Sequence, residues 1–175
     1  GMQPSKGPVI VTGATGGVGS VAVALLAKLG YDVVALSGKA EQEAWLKELG
    51  ANRVIGRDEV MALKGKAMAK PLYQAALDTV GGDMVSALIP QIMPEGAVST
   101  CGMIAGIKVE ASVFPFILRG VSLLGVDSVE IPQAEKQLVL NKAAGEYYTS
   151  VLVEATGEGL TYYTLDGTLP DETSA

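Results

Sequence analysis

Histidine is missing from all 175 residues, and cysteine occurs once, at Cys101. Without an imidazole there is no histidine general base. The His and Cys clusters that hold zinc are likewise not available, and a lone thiol cannot close a disulfide within the chain. Any chemistry must come from a cofactor, from other side chains or from another polypeptide. Basic charge is sparse: 13 Lys and Arg stand against 19 Asp and Glu, a net charge of −6. No Lys or Arg follows Lys142, and Glu154, Glu158, Asp166, Asp171 and Glu172 carry most of the excess. A nucleic-acid surface needs clustered cations, so no nucleic-acid partner is expected. The apolar stretch 9–29 is broken by glycines in its first half and carries Lys28 near its end. It reads as a buried β-α unit, not as a signal peptide or membrane span, and a soluble, cytoplasmic protein is expected.

What is present is organised around Pro8-Val-Ile-Val-Thr-Gly-Ala-Thr-Gly-Gly-Val-Gly-Ser20. Val9, Ile10 and Val11 are an apolar, β-branched run that predicts a buried strand. Gly13, Gly16, Gly17 and Gly19 follow, then an Ala- and Leu-rich helix from Ser20 to Leu29. Strand, glycine turn and helix together leave backbone N–H groups at a helix N-terminus, where they and the helix dipole stabilise an anion. Glycines at this spacing let a pyrophosphate approach the backbone and the helix pack close to its strand.

The pattern then repeats. Strands are predicted at 32–37, 53–56, 72–78, 96–101 and 121–126. Helices are predicted at 39–49, at 83–93 with a bend or end near Pro90, and from Pro132 to about Ala144. A surface connection with a helical turn fills 57–70, and an apolar cluster fills 113–118. Strands alternating with helices predict an α/β fold with a doubly wound parallel six-stranded sheet, the Rossmann arrangement, in strand order 3-2-1-4-5-6. Residues 1–145 form that domain. Residues 146–175 depart from the pattern: an acidic segment, either two strands at 150–153 and 160–165 or a tail.

The end of the second strand decides which dinucleotide fits. NAD binders place an Asp or Glu there for the ribose hydroxyls. Here the position is Ser37, followed by Gly38 and Lys39, and Asp32 lies at the other end of the strand. A hydroxyl, a glycine N–H and an ammonium suit a 2′-phosphate, and Arg57, at the end of the third strand, can reach the same group. NADP is therefore preferred over NAD. Against this stands the plainer reading that Ser37 caps the next helix and that Lys39 and Arg57 are solvated charges.

Two enzyme classes are excluded by spacing. None of the six tyrosines has Lys four residues on, as short-chain dehydrogenases require, and Gly19-Ser20 lacks the lysine of a phosphate-binding NTPase loop. The segments Val11-Thr-Gly-Ala-Thr-Gly-Gly-Val-Gly19, Leu49-Gly-Ala-Asn-Arg-Val-Ile55, Leu77-Asp-Thr-Val-Gly81 and Gly120-Val-Ser-Leu-Leu-Gly-Val-Asp-Ser128 resemble the cofactor domain of zinc-free medium-chain dehydrogenases/reductases. Ser37-Gly-Lys39, Arg57-Asp-Glu59 and Pro115-Phe-Ile-Leu-Arg119 are most similar to the acrylyl-CoA reductase/quinone oxidoreductase branch. The resemblance covers about residues 7–145. It implies that Thr15, Gly16, Gly17 and Val18 hold the pyrophosphate and that Ser37, Gly38, Lys39 and Arg57 hold the 2′-phosphate. It further implies that Cys101 and Gly102 border the ribose and nicotinamide.

Members of that branch reduce an activated C=C bond, as in acrylyl-CoA or an enone, with NADPH. Their separate, GroES-like catalytic domain has no counterpart in these residues. The expectation is an isolated cofactor domain that binds NADPH weakly, with little turnover, no catalytic residue of its own and no metal. Cys101 is expected to be a buried strand-end thiol, not a nucleophile. A non-catalytic nucleotide-binding or dimerisation module remains the alternative, with a homodimer formed by strand addition at the sixth-strand edge.

Overall fold

The computed structural model describes residues 2–127 together with two short strands farther along the chain. The chain divides into two compact units, Gly1–Ser128 and Val129–Ala175. In the first unit six strands run β1 (Val9–Thr12), β2 (Val33–Leu36), β3 (Arg53–Ile55), β4 (Tyr73–Asp78), β5 (Ile92–Thr100) and β6 (Ser122–Gly125). They form one sheet in the order β3-β2-β1-β4-β5-β6. Every pairing in it is parallel. This is the doubly wound Rossmann arrangement that the alternation of strands and helices predicts.

Side-chain alternation along the strands divides the core in two. Ile10, Val34 and Leu36 pack with Ile55, Val60, Val85 and Leu88. Val11, Val33 and Ala35 point the other way, to Ala22, Val23 and Leu46. The near-continuous apolar runs of β1 and β2 follow, because both faces are covered; the polar residue of β1, Thr12, closes the strand. One face is covered by α1 (Gly17–Lys28) and α2 (Glu43–Glu48), the other by α3 (Arg57–Met61) and α4 (Asp83–Leu88).

Several boundaries differ from the sequence-based expectation. Helix α1 begins at Gly17, not Ser20, since Gly16 is its extended N-cap and Gly17 and Gly19 lie inside the first turn. Helix α4 ends at Leu88, followed by a 3-10 turn at Ile89–Gln91. Ile92 is already strand, paired with Tyr73, and the next pair is Ala75 with Ala97. The intervening residues bulge out of register, with Glu95 at φ 61, which hid the start of β5 in the sequence. The apolar cluster at 113–118 is helix α5 (Phe114–Arg119), with Pro115 in its first turn and Gly120 ending it at φ 61. Arg119 holds it down, donating to the carbonyls of Pro90, Ile92 and Ala69.

In the second unit β7 (Val153–Ala155) and β8 (Thr161–Tyr163) pair antiparallel, Glu154 opposite Tyr162. The helix expected from Pro132 to Ala144 lies outside the described residues. Among the described residues no helix is long and apolar enough to cross a membrane.

Candidate functional site: a crevice at the strand C-termini

The β1–α1 turn is built from backbone contacts that exclude side chains. Gly13 sits at φ 57, and its carbonyl accepts from the Gly16 N–H at 2.8 Å. A Cβ on Gly19 would be driven into the same Gly13 peptide, 2.8 Å from its carbonyl carbon. Gly17, by contrast, faces open space. Gly16, Gly17 and Val18 are exposed at the start of the twelve-residue α1, where the first N–H groups have no helical partner. The Ala14 N–H donates to Leu36 O at 3.1 Å, tying this turn to the end of β2.

An open crevice of about 560 Å³ lies beside that turn. Gly13 and Thr15 line it from the first turn, Ser37, Gly38 and Lys39 from the end of β2, and Gly56 and Arg57 from the β3–α3 junction. Arg57 is the first residue of α3, not the last of β3 as the sequence suggested, because Gly56 is the extended N-cap. Its guanidinium lies against Gly38, where a Cβ would sit 3.1 Å from Arg57 Nε. Ser37 is buried, and its Oγ accepts from the Lys39 N–H at 3.0 Å. That bond fixes the turn and leaves the hydroxyl able to donate. Two carboxylates also line the crevice, Glu43 and Asp58. Glu43 is engaged by Lys47 at 2.7 Å, one turn along α2.

The other half of the strand-end surface centres on Asp78, fully buried at the end of β4. Its carboxylate accepts four hydrogen bonds: Thr12 Oγ1 at 2.7 Å, Val80 N at 3.3 Å, Gly81 N at 2.8 Å and Thr100 Oγ1 at 2.9 Å. Thr12 Oγ1 in turn accepts from Thr79 N, and Thr79 Oγ1 donates to Thr12 O. One side chain thus ties together the ends of β1, β4 and β5.

Cys101 follows β5 directly and is exposed, contrary to the expectation of a buried thiol. The strand ends at Thr100, so the Cys101 side chain leaves the sheet while its N–H still reaches Asp78 O at 3.0 Å. Partial desolvation of the sulfur, and then the Asp78 charge, push the thiol pKa above its ordinary value. Because ionisation is harder in the folded state, this group's contribution to stability is present at neutral pH. It is lost as the pH rises through the ordinary thiol range. Alkylation of Cys101 by iodoacetamide at mildly alkaline pH is expected to be slower than that of the same chain in denaturant. A faster rate in the folded chain would contradict the electrostatic description.

The structure therefore brings Thr15, Ser37, Gly38, Lys39 and Arg57 to one crevice, with Gly16, Gly17 and Val18 at the adjoining helix start. Cys101 and Gly102 belong to the other half, beside Asp78 and Thr79. Sequence reasoning did not single out Gly13, Thr79 or Asp78 as site residues. The signal for Asp78 was a charged residue closing the apolar strand Leu72–Asp78, which a fully apolar environment would not tolerate without donors.

The family described as zinc-binding dehydrogenase matches residues 17–145. The putative quinone oxidoreductase YhfP of Bacillus subtilis is 43% identical over 171 residues, spanning 98% of this chain and 52% of that relative. The Bacillus subtilis protein yhfP solved with NAD bound superposes with a TM-score of 0.80 at 47% identity, covering 84% of this chain and 45% of that one. The probable acrylyl-CoA reductase AcuI of Escherichia coli is 41% identical over 90% of this chain and 48% of its own length. The yhdH oxidoreductase of Salmonella enterica in complex with NADP gives a TM-score of 0.78 at 43% identity, with the same coverage, 84% and 45%. The chain thus spans about half the length of the curated relatives it matches. Zinc does not fit the residues in hand: there is no histidine, and no three His, Cys, Asp or Glu among the described residues are grouped to hold a metal ion. By fold and by sequence the chain belongs to the zinc-binding dehydrogenase family, among relatives named quinone oxidoreductase and acrylyl-CoA reductase.

Proposed function

We propose that these residues are the NADPH-binding part of a cytoplasmic, zinc-independent oxidoreductase that reduces an activated C=C bond, in acrylyl-CoA or an enone, or a quinone. The observation that carries the reading is the convergence of Ser37, Lys39 and the Arg57 guanidinium on one crevice, with no acid at the end of β2. Those groups would hold the 2′-phosphate, and the N–H groups from Thr15 to Val18 would hold the pyrophosphate at the positive end of α1. The nicotinamide half then falls over the ends of β4 and β5, near Cys101 and Gly102. Bound NADPH supplies a hydride equivalent; the protein's part is to bind and orient it and to shield one face of the ring.

No side chain of this chain is assigned to proton transfer, and the second wall of a substrate cleft would come from a catalytic domain. The exposed Met103, Ile104 and Ile107, in the loop after β5, are suited to that wall. The 175 residues alone are accordingly expected to bind NADPH more tightly than NADH, followed by nicotinamide fluorescence. Added acrylyl-CoA or quinone is expected to cause no NADPH oxidation. Turnover by this chain alone would sink the claim that the partner domain is required. Equal affinity for NADH would sink the assignment of Ser37, Lys39 and Arg57.

A specific observation also favours self-association. Among the described residues β6 is an edge of the sheet, with Leu123 and Leu124 at 40% and 51% exposure. Phe114, Ile117 and Leu118 of the preceding α5 are exposed as well. A second copy adding its own β6 would cover both. Sedimentation is expected to give a dimer that Leu123→Pro, whose N–H faces away from β5, converts to monomer; a monomer before substitution would refute this.

A further inference from the structure

The charges that line the crevice are of both signs, Lys39 and Arg57 beside Glu43 and Asp58. Both cations of the crevice, Lys39 and Arg57, lie on the β2–β3 side. On the β4–β5 side the buried group is an anion, the Asp78 carboxylate, with hydroxyl and amide donors as its partners. No cation pairs with Asp78 among the described residues. Charge at a position with zero exposure is screened less than in water, because the interior is less polar than water. Asp78 is also, after burial of the sulfur, the second cause that raises the pKa of the neighbouring Cys101 thiol.

A dinucleotide lying across this sheet is itself dipolar. On the reading above its 2′-phosphate would lie over β2 and β3, and its nicotinamide over β4 and β5. The nicotinamide is neutral when reduced and positive when oxidised. We infer that the buried Asp78 carboxylate biases the crevice toward the oxidised, cationic form of the dinucleotide, acting from beneath the nicotinamide half. Asp78 touches no cofactor atom in this account; it is a positioning and electrostatic residue. The pyrophosphate is repelled by Asp78 equally in both redox forms, so its contribution cancels in the ratio of their affinities. With the dinucleotide bound, the Asp78 carboxylate would favour positive charge on the nicotinamide ring.

This inference rests on the dinucleotide reading above, and the test separates the two. The dissociation constants of NADPH and NADP+ are measured for the unsubstituted chain and for Asp78→Asn. The amide can keep its oxygen toward Gly81 N and Thr100 Oγ1, and its NH₂ can donate to Thr12 Oγ1. The 3.3 Å bond from Val80 N and the bond donated by Thr12 Oγ1 are then lost, the latter replaced by one running the opposite way, and the variant is expected to fold. The preference for NADP+ relative to NADPH is expected to fall by about tenfold in Asp78→Asn. A purely structural role would weaken both forms alike and leave the ratio unchanged, which would overturn the inference. Should Asp78→Asn not fold, Thr100→Val supplies the opposite sign. It removes one donor that disperses the charge, and the ratio is expected to rise toward NADP+ by about twofold; no rise overturns the inference. If the unsubstituted chain binds neither form, the dinucleotide reading itself fails.

Discussion

A Lys39→Glu, Arg57→Glu chain is expected to bind NADPH about a hundredfold more weakly than the unsubstituted chain, while NADH affinity changes by less than about threefold. Each charge-assisted bond to a phosphate is worth about 1.5–3 kcal/mol, and the exposure of both side chains argues for the lower end. Two such bonds already reach the stated factor, and charge reversal adds repulsion. Because neither residue is buried, the melting temperature is expected to stay within a few degrees. Fluorescence titration of both nucleotides at fixed ionic strength checks the result. An equal loss of NADH and NADPH affinity would show that the two cations act on the pyrophosphate or on the fold. No loss of either would return Lys39 and Arg57 to the status of solvated charges.

Gly102→Ala is expected to destabilise the first unit by about 3 kcal/mol, measured by denaturant unfolding. The backbone at Gly102 is ordinary, so conformation is not the obstacle. Space is: the new Cβ would be driven into the Thr79 carbonyl and to 2.9 Å from Val80 N. Both neighbours are backbone atoms held by Thr12 and Asp78, so neither can swing away as a flexible side chain would. Gly17→Ala makes the informative control. Nothing lies within 4 Å of the added carbon, and the position is helical, so stability is expected to rise by about 0.5–1 kcal/mol. If Gly17 lies under the pyrophosphate as proposed, NADPH affinity falls although the protein becomes more stable. Stability and binding moving in opposite directions would be hard to obtain from a turn that binds nothing.

The strand order was legible because short, mostly apolar strand segments alternate with helical ones along the chain, and right-handed crossovers leave few ways to join them. The convergence of Ser37 and Lys39 with Arg57 was legible for the same reason: β2 and β3 are neighbours in that order. Other features were not. Residues Met84 to Ile92 carry apolar side chains at spacings that suit a helix throughout. Only the pairing of Ile92 with Tyr73 shows that the last of them is strand. Cys101 could not be told from a buried thiol, because one residue decides whether a side chain at a strand end faces the sheet or solvent. Asp78 gave no hint of its partners, as Thr12 and Thr100 lie 66 and 22 residues away.

By itself, then, the sequence determined the alternation of elements, the glycine turn at the head of α1 and the kind of charge at the ends of β2 and β3. These depend on local propensity and on spacings of a few residues. The tertiary structure alone decided that Arg57 starts a helix and lies against Gly38. It also decided that Gly102 has no room for a side chain and that a buried carboxylate lies at the end of β4, in the other half of the strand-end surface. Those facts depend on atoms brought together from distant parts of the chain, and local pattern carries no record of which distant donors will meet a given acceptor.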